Sequence, residues 1–156
     1  MALGDAYVSV MTTAGLNLIQ QALSIYDSDL RLVICNRPFQ EMFNLPVEHT
    51  MPGAEFAETI RLLAQRGEYG EITDIEDMVR LRVEQARAFI PHYMERTRPD
   101  GSTISVEGSP LPTGGWVTVY TDISRVKTQE SLLRARSAEL SDKVFAYAEE
   151  LAAKNR

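Results

Sequence analysis

The spacing of apolar and polar residues predicts a helix and two strands at the start of the chain. Apolar residues recur at helical intervals over residues 12–23. Two short apolar runs, at 25–26 and 32–35, are typical of strands because β-branched residues are frequent in them. The sequence Asp-Ser-Asp at 27–29 lies between these runs and favours a turn, so a hairpin is predicted.

Three further helices are predicted between Asn36 and Pro91. Asn36 is placed to cap the first of them, and the second opens at the Pro-Gly pair 52–53. The third begins where Thr73 and Glu76 have the spacing of a capping box.

The pattern changes after Pro91. Extended segments are predicted at 92–97, 103–106 and 116–120, with turn-forming sequences between them. From Ser124 onward the chain contains neither Pro nor Gly, which predicts a single helix of about 30 residues. The order of two strands, several helices, three strands and one long helix indicates an α+β fold.

Composition and charge argue against several classes of function for this chain. Residues 1–124 contain 9 Lys/Arg and 17 Asp/Glu, a net charge of −8, whereas residues 125–156 contain 7 and 5, a net charge of +2. An acidic body argues against a nucleic-acid partner. No apolar run approaches the roughly 20 residues of a membrane span. The lack of a secretory leader and the single cysteine, Cys35, favour a cytoplasmic location without an intrachain disulfide.

Four motifs in the expected order carry a resemblance to the PAS family. They are the segment 25–32, the set Asn36, Phe39 and Phe43, the sequence Arg-Pro-Asp-Gly-Ser at 98–102, and the triplet Asp122, Ile123 and Ser124. They resemble the opening hairpin, the strand-to-helix step, a later hairpin and the closing signature of PAS domains. The stretches 66–70 and 110–116 resemble a PAS subgroup that is common in bacterial sensor histidine kinases.

This resemblance implies a five-stranded antiparallel sheet with helices inserted between strands 2 and 3. The expected organisation is an N-terminal segment at 1–16 that begins the short helix, a PAS sensory domain at 17–124 and a coiled-coil linker helix at 125–156. The chain itself is not expected to be an enzyme. A kinase or another output module is expected to follow the linker helix in a larger cytoplasmic protein.

PAS domains often enclose a small molecule between the sheet and the inserted helices. The candidate lining residues share mostly apolar side chains; they are Cys35, Phe43, Phe56, Ile60, Tyr93, Val106 and Tyr120. The same set describes a filled core, which is the favoured interpretation. Arg61, Arg80 and Arg82 are expected on solvated helix faces.

No cofactor or metal is expected. In light-sensing PAS relatives a cysteine follows the Asn of this region and bonds to flavin, whereas Cys35 precedes Asn36. His49 and His92 are expected at the surface, and no Cys/His cluster has metal-ligand spacing. The sequence also lacks a nucleophile elbow, a phosphate-cradling loop and a nucleotide fingerprint, so no catalytic residues are assigned.

The C-terminal helix has an apolar seam with the spacing of a two-stranded coiled coil. Its apolar members are Val126, Leu133, Leu140, Val144, Tyr147 and Leu151. Glu130 and Ser137 interrupt it. The spacing predicts a parallel homodimer, and the alternative is an amphipathic helix that folds back on its own domain.

The triplet Asp122, Ile123 and Ser124 is expected to join the domain to this helix. Ser124 is predicted to be the N-cap, and the family resemblance implies that Asp122 pairs with a basic side chain, for which Arg98 and Arg125 are candidates. The expected function is signal reception and relay, and the sequence leaves open whether an unidentified small molecule is the signal. The alternative is a ligand-free PAS module that only brings partners together.

Overall fold

The computed structural model describes residues 4–154, which form five helices, one short 3₁₀ helix and five strands. In chain order the elements are α1 (Asp5–Leu18), β1 (Ala22–Tyr26), β2 (Leu32–Cys35), α2 (Arg37–Phe43), the 3₁₀ helix (Val47–His49), α3 (Phe56–Gln65), α4 (Ile75–Arg87), β3 (His92–Thr97), β4 (Thr103–Pro110), β5 (Trp116–Asp122) and α5 (Ser124–Lys154). The chain divides into two compact units, 1–122 and 123–156.

The five strands form one antiparallel sheet in the order β2-β1-β5-β4-β3. The predicted α+β fold is confirmed, as is the insertion of the helices between β2 and β3. The central strand β5 pairs with β1 on one side and with β4 on the other, so the first and last strands of the domain lie next to each other.

One face of the sheet is covered and forms the core. On β1 the side chains of Ala22, Ser24 and Tyr26 are buried, while those of the alternate residues are partly exposed, as expected for a strand with one covered face. The main apolar cluster joins this face to α2 and α3; its buried members are Ala22, Phe39, Phe43, Leu45, Leu63, Ile104 and Val106.

The first helix and the start of the third differ from the sequence prediction. The helix predicted at 12–23 is α1, which runs from Asp5 to Leu18, because Ala22 and Leu23 pair with Tyr120 and Val119 in the sheet. Pairing in the sheet therefore overrides the helical spacing of the last predicted residues.

Contrary to the sequence prediction, the Pro-Gly pair 52–53 does not open α3. A short extended segment separates the pair from the first residue of the helix. Gly53 has a φ of 92°, and its amide donates to the Leu32 carbonyl at 2.7 Å. Helix α4 is capped by Asp74, whose side chain accepts from the Asp77 amide, and not by the predicted Thr73.

Asn36 caps α2 as predicted and also ties four segments together. Its side-chain oxygen accepts from the amides of Phe39 and Leu23, at 3.2 and 2.9 Å. Its side-chain nitrogen donates to the carbonyls of Leu16 and Gln21, at 3.0 and 2.8 Å. Asn36 is 2% exposed, so these bonds satisfy its amide without water.

Candidate functional site

The interior between the sheet and α2–α3 holds most of the predicted pocket residues. Phe43 and Val106 belong to the buried cluster, and Cys35 and Tyr120 pack against it. The ring of Tyr120 lies 5.1 Å from that of Phe43 and 5.6 Å from that of Phe39. These contacts fill the interior between the sheet and α2 with aromatic side chains.

Two further predicted residues flank this interior on α3. Ile60 is buried, and Phe56 packs edge-on against Tyr26 with ring centroids 5.4 Å apart. Phe56 is the first residue of α3, so this contact connects the start of the helix to the end of β1.

Tyr93 lies apart from these residues. It is 59% exposed on β3, where its hydroxyl donates to Glu95 at 2.7 Å. Alternate residues of a strand point to opposite faces. Met94 pairs with Val106, whose side chain is buried, so Tyr93 must point to the other face.

Several polar groups are buried near the aromatic interior. Burial raises the pKa of the Tyr26 and Tyr120 hydroxyls far above the ordinary value, although the nearby hydroxyls of Thr59 and Ser24, respectively, act in the opposite direction. The Ser24 hydroxyl makes no hydrogen bond of good geometry within residues 4–154. Both phenols therefore stay neutral at physiological pH.

The two histidines lie in different surroundings. His49 Nδ1 is 3.0 Å from the hydroxyl of the buried Thr59, so this side chain is tied to α3. The exposed ring of His92 stacks on Trp116 at 5.3 Å. In the described part of the chain no three His, Cys, Asp or Glu side chains are grouped so that they could hold a metal ion.

Cys35 is partly buried in this interior. Its thiol points to the Thr50 carbonyl, with sulfur and oxygen 3.7 Å apart, and burial raises its pKa. A raised thiol pKa lowers the thiolate fraction, which makes the side chain a packing group more than a nucleophile.

The most extensive polar network of the domain centres on Glu68, a residue without an assigned role in the sequence prediction. Glu68 lies three residues after Gln65, the last residue of α3, and its side chain is only 8% exposed. Arg96 Nη1 donates to Glu68 Oε2 at 2.6 Å, and Arg98 donates from Nη2 and Nε at 3.0 and 3.1 Å. Arg98 Nη2 also reaches the Met42 carbonyl at 2.8 Å. The network thus joins the α3–α4 connection, β3 and the end of α2.

The charges around Arg98 include that of Asp122. Burial acts to lower the pKa of Arg98, but the hydrogen bonds and charge of Glu68, together with the charges of Asp100 and Asp122, raise it overall. Asp122 is the last residue of β5 and pairs with Ile104 on β4. Of the two basic candidates for Asp122, Arg98 therefore lies within its electrostatic reach.

A small cleft of about 170 Å³ opens beside this network. It is bounded by Phe43, Leu63, Arg66, Glu68 and the turn residues Arg98, Pro99 and Asp100. Arg66 donates from Nη1 to the Asn44 and Phe43 carbonyls, at 2.7 and 3.1 Å, and so closes the C-terminal end of α2. Cationic groups at this end of a helix are favourable because its carbonyls lack partners within the helix.

Tyr69 extends the network to α4. The guanidinium groups of Arg82 and Arg96 lie 4.7 and 5.0 Å from the centre of its ring. Arg82, predicted to be solvated, therefore contributes a cation–π contact. Arg61 binds both Glu58 and Glu76, and Arg80 binds Asp77 and Glu84, at the surface as expected.

The triplet at the end of the domain is divided between the two compact units. Asp122 ends the first unit, and Ile123 and Ser124 begin the second. Helix α5 starts at Ser124, and the Ile123 carbonyl accepts from the Lys127 amide at 2.9 Å. Ser124, the predicted N-cap, is thus the first residue of α5, directly after the carbonyl that accepts this bond.

Helix α5 spans 31 residues, and none of them is buried. The predicted apolar seam runs along it with side chains that are 43% to 68% exposed; these are Val126, Leu133, Leu140, Val144, Tyr147 and Leu151. No helix within residues 4–154 is both long and apolar enough to cross a bilayer.

Comparison with known sequences identifies the family. A family model described as a PAS fold matches residues 16–131. The chain is 27% identical over 129 residues to the non-motile and phage-resistance protein of Caulobacter vibrioides. This match covers 81% of the chain but only 13% of that relative, so the chain spans a small part of the relative's length.

Solved structures show the same fold. The PAS domain from Bordetella pertussis BvgS has a TM-score of 0.55 at 13% identity and covers 86% of this chain and 99% of that one. The phage VqmA–DPO complex has a TM-score of 0.50 at 16% identity and covers 87% and 61%. The family match extends over most of the sequence and agrees with the strand order and inserted helices described above. The chain belongs to the PAS fold family.

Proposed function

We propose that this PAS domain receives a signal and passes it through α5 to an output module in a larger, dimeric signalling protein. The observation that carries the proposal is the exposed seam of α5. A helix of 31 residues is about 46 Å long, and its apolar side chains recur at coiled-coil spacing. A second copy of the helix, running parallel, would cover them.

A larger parent protein is supported by the Caulobacter vibrioides relative, of which the chain matches 13%. We infer that the output module is a histidine kinase, because the stretches 66–70 and 110–116 resemble the PAS subgroup common in such kinases. We also propose that the parent protein is cytoplasmic, as expected from the sequence. The PAS domain itself is a sensory module and not a catalytic one.

The Glu68 network and the triplet at 122–124 are the proposed path of the signal. Glu68 holds Arg98, and the charge of Asp122 acts on the same guanidinium. A displacement of α2 or of the α3–α4 connection would therefore change the surroundings of Asp122, the last residue of β5. Packed networks of this kind move between discrete arrangements more readily than they deform continuously.

Substitution of a seam residue tests the dimer. Leu140→Lys places a charge in the seam, and Leu132→Lys places the same charge on a leucine outside it; the two residues are 56% and 65% exposed. Light scattering should give a dimer for the unchanged chain and for Leu132→Lys, and a monomer for Leu140→Lys. A monomeric unchanged chain, or identical masses for the two variants, would contradict the proposal.

The second candidate is a ligand-free dimerisation module. The close packing of Phe39, Phe43 and Tyr120 favours it, because these rings occupy the interior. Native mass spectrometry of protein purified from its host separates the two functions. A small molecule that accompanies the chain and changes the cross-linking of α5 supports the sensor, whereas an empty chain with an unresponsive α5 supports the dimerisation module.

A further inference from the structure

The hydroxyl of Thr59 lies close to both a histidine and a buried tyrosine. Thr59 is on α3 and is 3% exposed. His49 Nδ1 lies 3.0 Å from the Thr59 hydroxyl oxygen, and the hydroxyl of Tyr26, at the end of β1, lies near the same group. The ring of His49 is partly exposed, whereas Tyr26 is 3% exposed. Thr59 therefore connects a side chain that can exchange protons with solvent to a phenol in the interior.

The direction of the hydrogen bonds at Thr59 depends on the charge of His49. A threonine hydroxyl has one proton and donates it to one neighbour at a time. When His49 is neutral with Nδ1 unprotonated, Thr59 donates to Nδ1, and its oxygen can accept from the Tyr26 hydroxyl. When His49 is charged, Nδ1 carries a proton and donates to Thr59. Thr59 then turns its own proton toward Tyr26, whose hydroxyl must direct its proton elsewhere.

A histidine is the only kind of titratable side chain around this described site that ordinarily changes charge near neutral pH. Burial raises the pKa of the Tyr26 and Tyr69 phenols and of the Cys35 thiol, so these three groups stay protonated. Carboxylates are already charged between pH 5 and 8. The neighbouring carboxylates lie at the surface; they are Glu48 and the arginine-paired Glu55 and Glu58.

Tyr26 is placed where a change in its hydrogen bonds acts on two elements of the domain. It is the last residue of β1 and pairs with Trp116 at the start of β5, the strand after which α5 begins. Its ring packs edge-on against Phe56, the first residue of α3, with centroids 5.4 Å apart. A new orientation of the Tyr26 side chain would therefore be felt by α3 and by the central strand of the sheet.

We propose that His49, Thr59 and Tyr26 form a proton-responsive relay, in which uptake of a proton by His49 reverses the hydrogen bonds at Thr59. One proton enters Nδ1 from solvent, and the hydroxyl protons of Thr59 and Tyr26 rotate about their C–O bonds, so no other proton is transferred. The proton is then a signal that this domain receives. The relay stands on the geometry alone, whereas its use as a signal rests on the proposed function.

Nuclear magnetic resonance of the full chain, with labelled histidine rings and tyrosine Cζ atoms, tests the relay between pH 5 and 8. Neutral His49 should have Nδ1 unprotonated. The Cζ resonance of Tyr26, assigned by its absence from Tyr26→Phe, should move with the same midpoint as the ring of His49. A common midpoint shows that the buried phenol responds to the charge of the histidine.

Four variants separate the relay from other effects of pH. Thr59→Val keeps the shape of the side chain without its hydroxyl, so His49 should still titrate while Tyr26 loses its pH dependence. Thr59→Ser restores the hydroxyl and should restore the response. His49→Gln should abolish it. His92→Gln is the matched control and should retain it, because His92 stacks on Trp116 and does not contact Thr59.

The relay is overturned if neutral His49 carries its proton on Nδ1, or if the Tyr26 resonance is constant from pH 5 to 8. It is equally overturned if the pH dependence of Tyr26 survives in Thr59→Val or in His49→Gln. These measurements require neither the output module nor the dimer, so their failure leaves the proposed function standing. A monomeric unchanged chain in light scattering would instead contradict the proposed dimer and leave the relay standing.

Discussion

Glu68 and Arg98 form an ion pair that is almost excluded from solvent, with Oε1 and Nη2 3.0 Å apart and side chains that are 8% and 15% exposed. Arg96, on β3 two residues before Arg98, completes the arrangement. One carboxylate thus compensates two guanidinium groups. Removing it would leave two buried cations without their partner, and this is more costly than replacing the whole group by apolar side chains.

We predict that Glu68→Ala destabilises the domain by about 3–5 kcal/mol, the range for breaking a buried ion pair. Urea denaturation followed by circular dichroism measures the change. Glu58→Ala is the matched control, because Glu58 binds Arg61 at the surface, and it should cost less than about 1 kcal/mol. A loss of stability that is the same for both variants would show that burial of the Glu68 network contributes little.

The buried phenols predict a loss of stability in alkali. Because burial raises the pKa of Tyr26 and Tyr120 in the folded protein, only the unfolded chain releases these protons just above its ordinary tyrosine pKa of about 10. The unfolded state then binds fewer protons, so the contribution of these two tyrosines to the free energy of unfolding should be constant below about pH 10 and should decrease above it. The decrease continues until the pH reaches the raised pKa of the folded state.

Denaturation at successive pH values measures this decrease, and Tyr120→Phe should reduce its slope by up to about 1.4 kcal/mol per pH unit. The absorbance of ionised tyrosine in the native protein, compared with that of protein in concentrated guanidinium chloride, provides an independent check. Full ionisation of all tyrosines in the native protein near pH 10 would contradict the prediction.

The backbone of β4 at Gly108 lies too close to two aromatic rings to accept a side chain. A Cβ at this position would lie 2.3 Å from the Trp116 ring and 2.8 Å from the His92 ring, so Gly108→Ala should destabilise the sheet by about 1–3 kcal/mol. Gly15→Ala is the control, because its Cβ meets nothing within 4 Å on helix α1. This control should be neutral or stabilising by up to about 1 kcal/mol. Equal midpoints of denaturation for the two variants would show that Trp116 moves aside without cost.

We predict that substitution of Asp122 changes the output of the parent protein without changing the stability of the domain. Asp122→Ala should leave the thermal midpoint of the domain nearly unchanged, because the sheet pairing at this position is made by the backbone. It should alter the basal output of the full-length parent or its response to signal. Asp100→Ala serves as the control, because Asp100 also acts on Arg98 but lies in a turn. Unchanged output of Asp122→Ala would show that the signal does not pass through this residue.

The order of the elements was predictable because the determining signals are local. Asn36 caps α2, the turn at 98–101 joins β3 to β4, and the absence of Pro and Gly defines α5. The extent of α1 was not predictable in this way. Leu23 has the spacing of a helix residue, but its pairing with Val119, nearly a hundred residues later in the chain, places it in a strand.

The site was predictable only in part, since side-chain position depends on the register of the sheet. Phe43 and Val106 lie in the interior. Tyr93 lies outside it, and only the pairing of Met94 with Val106 reveals which face of β3 is covered. The role of Glu68 depends on two arginines about 30 residues away. An acid just after Gly67, with Arg96 near the end of β3 and Arg98 two residues later, was the available signal.

Trp116 is the only tryptophan of the chain, and it is buried on β5 with its indole nitrogen donating to Thr118 at 2.9 Å. Its fluorescence therefore reports on the sheet alone, whereas α5 contributes a large share of the helical ellipticity. The two compact units can thus be followed separately in one sample by two optical signals. If the emission of Trp116 and the ellipticity at the helical band change at different temperatures, the linker helix melts independently of the domain.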